Sequence, residues 1–297
     1  MRILILGASG MIGHRMWATL SSDHETIGVL RRPALGDLAL IPGISLSNSV
    51  LSVEAHDLPK ISKVIQDTKP DVVLNCIGIV KQLKDSHDHL KSISINSLFP
   101  HQLAKVCADN NARMIHLSSD CVFDGVKGHY IESDFQNAQD LYGKSKTLGE
   151  IDYLENVLTI RTSSIGREVF PHGGLLEWFL GNRGKTIAGF SKVIYSGLTT
   201  KTLANVISQN IFTNPELSGV LHVAGLPIDK WSLLKLIQEH FNLKMEITVD
   251  KDFTLDRSLD YSEFTKKTMF QAPTWSSMMK DLEVDFDIYE SLRNKRV

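Results

Sequence analysis

The sequence predicts an α/β fold, a Rossmann-type doubly wound parallel sheet with a smaller C-terminal lobe intertwined with it. Three observations predict it. Short β-rich runs alternate with helical patterns through the first half, several of those runs are apolar on both faces, and a glycine-rich turn follows the first of them. A chain of 297 residues is long enough for such a domain and a second lobe.

The first half reads as alternating strands and helices. Arg2–Leu6 (RILIL) is a strand of the kind found at the centre of a parallel sheet, because it is apolar on both faces. Helices are expected over residues 11–21, 61–68, 92–110 (with a kink at Pro100) and 140–155. Further strands are expected over residues 25–30, 71–77, 113–118 and 157–162.

The alternation fades after residue 162. Residues 166–195 are glycine-rich, residues 219–225 read as one more buried strand, a helix is expected over 228–240, and the tail from Lys244 is mixed. No linker separates two halves, so we expect intertwined lobes. The predicted Rossmann domain comprises residues 1–165 and about 196–226, and the predicted second lobe comprises about 166–195 and 227–297.

Composition and charge exclude several classes of protein. Hydrophobic residues make up 42% and charged residues 22%, which excludes disorder, coiled coil and collagen. With 32 Lys and Arg against 34 Asp and Glu, nothing supports a nucleic-acid partner. No apolar run reaches the roughly 20 residues of a membrane span. Three cysteines fit no disulfide or zinc spacing, so we expect a reduced, cytoplasmic protein without a metal site.

A glycine-rich turn, Gly7–Gly13 (GASGMIG), lies between the first strand and the first helix. Glycines there let the backbone turn tightly and approach a pyrophosphate, whose charge the helix N-terminus attracts. The spacing is GxxGxxG, and its position after the first strand favours dinucleotide binding over a merely tight turn. The expected cofactor contacts in this turn are Gly7, Ser9, Gly10, Met11, Ile12 and Gly13.

Two arginines, Arg31 and Arg32, follow the second predicted strand. An acidic residue at this place would bind the ribose hydroxyls and repel a 2′-phosphate, whereas arginine binds that phosphate. The competing interpretation is a solvated pair of surface charges. The sequence therefore favours NADPH as the cofactor, with NADH possible.

A tyrosine and a lysine share one helix face, because Tyr142 and Lys146 are four residues apart. A free tyrosine has a pKa of about 10, and a nearby ammonium together with a bound nicotinamide lowers it. Ser119 ends the strand over residues 113–118, at the sheet edge where α/β proteins bind ligands. The glycine turn, the strand-end serine and the Tyr-x-x-x-Lys motif, in that order, form a pattern that is much more specific than any one of them.

With these motifs the chain resembles the extended short-chain dehydrogenases/reductases, and within them the dTDP-4-dehydrorhamnose reductase-like group. The central block, Ser118–Gly125 (SSDCVFDG), is the most specific part of the likeness. The likeness covers nearly the whole chain, through Tyr130, Glu132, Asp134, Tyr142–Lys146, Gly149, Glu150, Arg161–Ser163, Gly219–Gly225, Arg257–Asp260, Pro273 and Trp275.

The resemblance implies a nucleotide-sugar substrate, bound by the C-terminal lobe, and a catalytic set of Ser119, Tyr142 and Lys146. Tyr142 would protonate the C4 oxygen of a 4-keto-6-deoxy sugar while NADPH delivers hydride to C4. Lys146 would also hold the nicotinamide ribose. Arg257 would pair with the diphosphate of the substrate. The cofactor would be lined by Cys76, Ile77 and Gly78 at the end of their strand.

Two departures from the family pattern concern the substrate. The stretch after Gly78 is Ile79–Gln82, where Lys81 would meet a differently substituted or negative ligand, or be a solvated loop lysine. Cys121 stands where rhamnose-type reductases carry Tyr, whereas epimerase-reductases resembling GDP-fucose synthase carry Cys there. His172 is a candidate second acid/base. Simple packing of Cys121 and a loop position for His172 are the competing interpretation.

Two alternatives to a plain reductase therefore remain open at the level of sequence. One is a bifunctional epimerase-reductase that uses Cys121 and His172. The other is a non-catalytic NADP-binding regulatory subunit, because the regulatory subunit of methionine adenosyltransferase is similar to this group. A homodimer is possible, and neither the nucleotide nor the sugar follows from the sequence.

Overall fold

The computed structural model describes residues 1–81, 87–170 and 173–295. Its strands are β1 (Arg2–Leu6), β2 (Glu25–Val29), β3 (Ser49–Val50), β4 (Val72–Asn75), β5 (Arg113–Ser119), β6 (Val157–Thr162), β7 (Ser164–Ile165), β8 (Thr186–Tyr195), β9 (Leu198–Thr199), β10 (Gly219–His222), β11 (Ile228–Asp229) and β12 (Glu246–Asp256). Its α-helices are α1 (Met11–Leu20), α2 (Leu58–Thr68), α3 (His89–Ser92), α4 (Phe99–Asp109), α5 (Leu141–Thr147), α6 (Leu175–Gly181), α7 (Thr200–Val206), α8 (Lys230–His240), α9 (Ser262–Thr268), α10 (Trp275–Met279) and α11 (Phe286–Asn294).

Seven parallel strands form the main sheet in the order β10-β6-β5-β4-β1-β2-β3. The chain builds outward from β1 to β3, then returns to the other side of β1 and builds outward again through β4. The order therefore reverses between β1 and β4, and ligands of such sheets bind outside the carboxyl ends of the strands at that point. The predicted Rossmann-type fold is confirmed.

Both faces of the main sheet are buried, as the doubly apolar sequence of β1 predicts. Ile3 and Ile5 pack in one apolar cluster, and Leu4 and Leu6 pack in another. Successive side chains of a strand point to opposite faces, so the two clusters lie on opposite sides of the sheet.

A second sheet has three strands in the order β11-β8-β12. Strand β12 runs parallel to β8, with an irregular register between Asp250 and Thr254, and β11 pairs with β8 in antiparallel orientation. The sequence left the tail from Lys244 as mixed and so missed β12. Its mostly exposed side chains lack the alternating apolar pattern on which strand prediction depends.

Two helix predictions in the first half need correction. The helix expected over residues 140–155 ends at Thr147. Two residues later the backbone of Gly149 passes so close to Asn96 that a Cβ there would lie 1.9 Å from the Asn96 carbonyl oxygen. The helix expected over 92–110 is irregular, but its irregular part is a π-helical turn over Ile93–Leu98. Pro100 lies in the first turn of α4, where proline is tolerated.

In the described part of the chain, no helix combines the length and the apolar character needed to span a bilayer.

Candidate active site

The glycine-rich turn is packed so tightly that two of its positions exclude any side chain. Gly7 has a φ of +75°, and a Cβ there would lie 2.9 Å from the carbonyl carbon of Cys76. A Cβ on Gly13 would lie 2.2 Å from the carbonyl oxygen of Gly7. Both contacts are with backbone, which cannot move aside, so the turn between β1 and α1 requires glycine at both places.

The N-terminus of α1 has no side-chain cap. Gly10 caps the helix without a side-chain hydrogen bond, and the first turn holds no acidic residue. Ser9, Met11 and Ile12 are partly exposed. The first N–H groups of a helix have no partner within it and carry partial positive charge. This arrangement fits the diphosphate of a dinucleotide.

The two arginines after β2 are exposed, and the described residues offer neither of them an ion-pair partner. The guanidinium of Arg32 lies 3.7 Å from the centre of the Phe170 ring, which holds it by a cation–π contact. Its charge is therefore available to a phosphate near the end of β2. The preference for NADPH that the arginines suggest stays a prediction.

The end of β4 lies directly against the glycine turn, since the amide of Cys76 donates to the carbonyl of Leu6 at 3.0 Å. Asn75 orders the next residues, because its Oδ1 accepts from the amide of Ile77 at 3.1 Å and its Nδ2 donates to His116 at 3.0 Å. Burial raises the pKa of the Cys76 thiol to about 12, so this thiol is neutral at physiological pH. The structure thus brings Cys76 and Ile77 to the turn, and their part in lining a cofactor stays a prediction.

Strand β5 and helix α5 bring the three predicted catalytic side chains to one edge of the sheet. Ser119 ends β5, while Tyr142 and Lys146 project from α5. Asp140 fixes the start of that helix by accepting from the amide of Gly143 at 2.8 Å. A Cβ at Gly143 would lie 2.3 Å from the carbonyl oxygen of Cys121, so glycine allows α5 to approach the end of β5.

Tyr142 is held protonated in this site. Burial raises the pKa of its phenol most, the neighbouring Cys121 thiol adds to that rise, and a hydrogen bond with Ser119 opposes it. Burial therefore outweighs the lowering that we expected from Lys146. A protonated phenol is the form that donates a proton.

Lys146 is almost fully buried, and its Nζ donates to the carbonyl oxygen of Leu117 at 2.6 Å. Burial lowers the pKa of Lys146 to about 8, although the Glu150 carboxylate and the Cys76 thiol act to raise it. Behind it, Glu150 forms a bidentate ion pair with Arg161 at 2.9 and 2.7 Å and accepts from Ser118 at 2.6 Å. These buried contacts fix the end of α5 against β5 and β6.

Several cations lie near Tyr142 and Cys121. Lys81 forms an ion pair with Asp140 at 2.7 Å, and its Nζ lies 5.7 Å from the centre of the Tyr142 ring. Arg257 donates from Nε to the carbonyl of Phe123 at 2.8 Å, and its Nη1 lies 3.6 Å from the Cys121 sulfur. Lys81 and Arg257 therefore both lie near the predicted catalytic group.

Burial and then the Asp120 carboxylate raise the pKa of the Cys121 thiol to about 11, although the Lys81 and Arg257 charges lower it. Cys121 is thus a neutral thiol beside Tyr142. His172, its predicted acid/base partner, lies outside the described residues.

Sequence reasoning missed Lys230, the first residue of α8. Its Nζ lies 5.7 Å from the centre of the Tyr195 ring, and no carboxylate among the described residues forms an ion pair with it. Burial lowers the pKa of Lys230, while Asp120 and Cys121 raise it. Lys230 is therefore close enough to these two residues for their charges to act on it. No spacing in the sequence signals this residue, because it reaches the cleft from a distant helix.

The Rossmann-type sheet, the glycine turn and the Ser–Tyr–Lys set at its edge define the class as an extended short-chain dehydrogenase/reductase. The family model described as the RmlD substrate binding domain matches residues 1–246. The match covers most of the chain, so the protein belongs to this family. The resemblance to the dTDP-4-dehydrorhamnose reductase-like group is thereby confirmed.

Two relatives differ in how much they share with this chain. The dTDP-4-dehydrorhamnose reductase of Aggregatibacter actinomycetemcomitans is 26% identical over 249 residues, which is 77% of this chain and 75% of the relative. Methionine adenosyltransferase 2 subunit beta of Xenopus laevis is 31% identical over 160 residues, 52% of this chain and 43% of the relative. The match thus spans less than half of the latter protein.

Solved structures show the same fold. A hypothetical dTDP-4-dehydrorhamnose reductase from Sulfolobus tokodaii has a TM-score of 0.75 and 28% identity, with 94% of this chain and 99% of that chain covered. The dTDP-4-dehydrorhamnose reductase of Bacillus anthracis, solved in complex with NADP, has a TM-score of 0.76, 18% identity and coverages of 96% and 99%. At 18% identity the second likeness concerns the fold alone.

Proposed function

We propose that the protein is an NADPH-dependent reductase of a nucleotide-linked 4-keto-6-deoxy sugar. The observation that carries the proposal is the partly buried, protonated Tyr142, beside Ser119 and one helical turn from Lys146, at the sheet edge beside the glycine turn. When bound, NADPH supplies a hydride, and thus two electrons, to C4 of the sugar. The ketone oxygen then needs one proton to become a hydroxyl.

The chain's own residues supply and control that proton. Tyr142 donates it from its phenol to the ketone oxygen, and Ser119 hydrogen-bonds the same oxygen. Lys146, charged below its lowered pKa of about 8, stabilises the phenolate that the donation leaves behind. The glycine turn with Ser9–Ile12, together with Arg31 and Arg32, holds the dinucleotide, and Cys76–Gly78 line it.

We propose that Arg257, Lys230 and Lys81 bind the anionic nucleotide sugar. A negative ligand compensates the burial of Lys230, which the described residues leave without an ion pair. We further propose a cytoplasmic enzyme, since Cys76, Cys107 and Cys121 are all free, and a homodimer stays a prediction.

The proposal is tested with dTDP-, UDP-, GDP- and CDP-linked 4-keto-6-deoxy sugars and NADPH in deuterated water. We expect oxidation of NADPH with one of these nucleotides and, after exchange back into ordinary water, a product that carries no deuterium on carbon. A deuteron bound to ring carbon would instead place Cys121 in an epimerisation step. The absorbance of the nicotinamide and the mass of the product are read together.

The decisive variant is Tyr142→Phe, with Tyr153→Phe as the matched control, since Tyr153 is exposed and pairs with His101 away from the cleft. Loss of the general acid lowers kcat by about 10²- to 10⁴-fold, while NADPH still binds. A near-normal rate in Tyr142→Phe contradicts the proposed role. Inactivity of the unaltered protein on every keto sugar, with NADPH bound and a larger enzyme copurifying, supports the regulatory-subunit alternative.

A further inference from the structure

Three buried side chains connect the C-terminal helix α11 to the glycine turn. His14 of α1 contacts the carbonyl oxygen of Gly10 through Nδ1 at 2.7 Å, and its Nε2 lies 2.6 Å from the hydroxyl of Tyr289. The same hydroxyl accepts from Nη2 of Arg15 at 2.8 Å. All three side chains are at most 6% exposed, so water does not compete for these bonds.

The direction of each hydrogen bond follows from the chemistry of the groups. A carbonyl oxygen only accepts, so Nδ1 of His14 donates to Gly10. Burial lowers the pKa of His14 to about 4, and a neutral imidazole that donates from Nδ1 must accept at Nε2. Tyr289 therefore donates to His14 while it accepts from Arg15, and the chain of bonds has one orientation.

This chain of hydrogen bonds ends at the Gly10–Met11 peptide group, where α1 begins. The Gly10 carbonyl accepts from the His14 side chain and also from the His14 amide at 3.0 Å. A peptide group is planar, so fixing the Gly10 carbonyl also fixes the direction of the Met11 N–H. That N–H is the first free donor of the helix.

Helix α11 itself is held in place by buried ion pairs. Arg15 pairs with Asp285 at 3.0 Å, and Arg167 pairs with Glu290 at 2.8 Å while its guanidinium lies 5.0 Å from the centre of the Tyr289 ring. Arg293 pairs with Glu177 of α6. The Tyr289 hydroxyl is therefore placed by several elements together.

We propose that Tyr289 and His14 are positioning residues for the cofactor diphosphate, which makes the C-terminal helix part of the dinucleotide site. They orient the Gly10–Met11 peptide before the ligand arrives, so that binding requires no rearrangement. This inference depends on the dinucleotide binding proposed above, but not on the identity of the sugar or on turnover.

The test is a calorimetric titration of Tyr289→Phe with three probes: NADP⁺, 2′-phospho-ADP-ribose and adenosine 2′-monophosphate. Losing the hydroxyl that holds His14 against the Gly10 carbonyl should raise Kd for the first two by about three- to tenfold. Adenosine 2′-monophosphate has no diphosphate, so its Kd should change less than about twofold. Tyr153→Phe, which removes an exposed tyrosine–histidine bond, is the matched control and should leave all three unchanged.

A second pair of variants separates positioning from simple loosening of the fold. The side-chain amide of His14→Asn can still donate to the Gly10 carbonyl from the Nδ1 position, whereas His14→Gln places its amide near Nε2 and loses that bond. We expect His14→Asn to bind 2′-phospho-ADP-ribose more tightly than His14→Gln, with thermal unfolding recorded for both. This pair of variants also tests the positioning role if Tyr289→Phe does not fold.

Three outcomes overturn the inference. They are unchanged Kd values in Tyr289→Phe, an equal loss of affinity for adenosine 2′-monophosphate, and tighter binding by His14→Gln than by His14→Asn. Failure of the unaltered protein to bind either diphosphate probe overturns the proposed cofactor and the inference together. Binding of both probes without turnover on any keto sugar contradicts the proposed reaction alone.

Discussion

The two sides of the cleft are built on different principles. On the cofactor side, backbone approaches backbone, and Gly7 and Gly13 are required because no Cβ fits. On the proposed substrate side, long cationic side chains such as Lys81, Lys230 and Arg257 come from separate elements. The first arrangement is rigid and local in sequence, whereas the second depends on charge and on distant parts of the chain.

The largest effect should come from breaking the rigid side with Gly13→Ala. The added Cβ would lie 2.2 Å from the Gly7 carbonyl oxygen, so the turn must open. We expect a loss of about 1–3 kcal/mol in the free energy of unfolding. We also expect a rise of at least about tenfold in the Kd for NADP⁺. Chemical denaturation measures the free energy of unfolding, and calorimetry measures the Kd for NADP⁺.

The matched control is Gly181→Ala at the end of α6, where a Cβ would meet no atom within 4 Å. Alanine is the better helix former, so stability there should be unchanged or slightly higher. Equal effects of the two substitutions would contradict the claim that the turn is sterically constrained.

An intermediate effect is expected on the substrate side from Lys230→Met. Removing one charged contact to an anionic substrate should raise KM for the nucleotide sugar by about tenfold or more, with the Kd for NADP⁺ unchanged. Lys251→Met, on an exposed position of β12, controls for loss of net charge. If Lys230→Met weakens NADP⁺ binding as much as sugar binding, the division between the two sides fails.

The smallest expected effect is a pH dependence of kcat/KM that comes from Lys146. Its ammonium is charged below the lowered pKa of about 8 and neutral above it, so kcat/KM should fall by a few fold above about pH 8. In Lys146→Arg the guanidinium stays charged, and the fall should move to higher pH even though the rate is lower. An unchanged profile in that variant would assign the fall to another group.

The same contrast explains what the sequence could predict. Strands such as β1 and β4 were predicted because a buried parallel strand has a continuous apolar run, and the glycine turn was predicted because its spacing is sterically required. Ser119, Tyr142 and Lys146 were expected together from motif order, and β5 and α5 place them at one edge.

What the sequence missed depends on contacts between distant segments. Lys230 carries no motif, and the bond from Tyr289 to His14 joins residues at opposite ends of the chain. Strand β12 is mostly exposed and shows no periodic apolar pattern. The helix over residues 140–155 was overestimated, because the close approach of Gly149 to Asn96 is a tertiary contact that no local propensity encodes.

The contact between Gly143 and Cys121 has a consequence for altering this protein by design. Helix α5 packs against the carbonyl oxygen of residue 121, while the thiol of that residue lies beside Tyr142. The side chain at 121 can therefore be exchanged without moving the main chain that sets the position of Tyr142. Such an exchange should change the pKa of the phenol, which the thiol helps to raise, and leave the spacing between α5 and the end of β5 as it is.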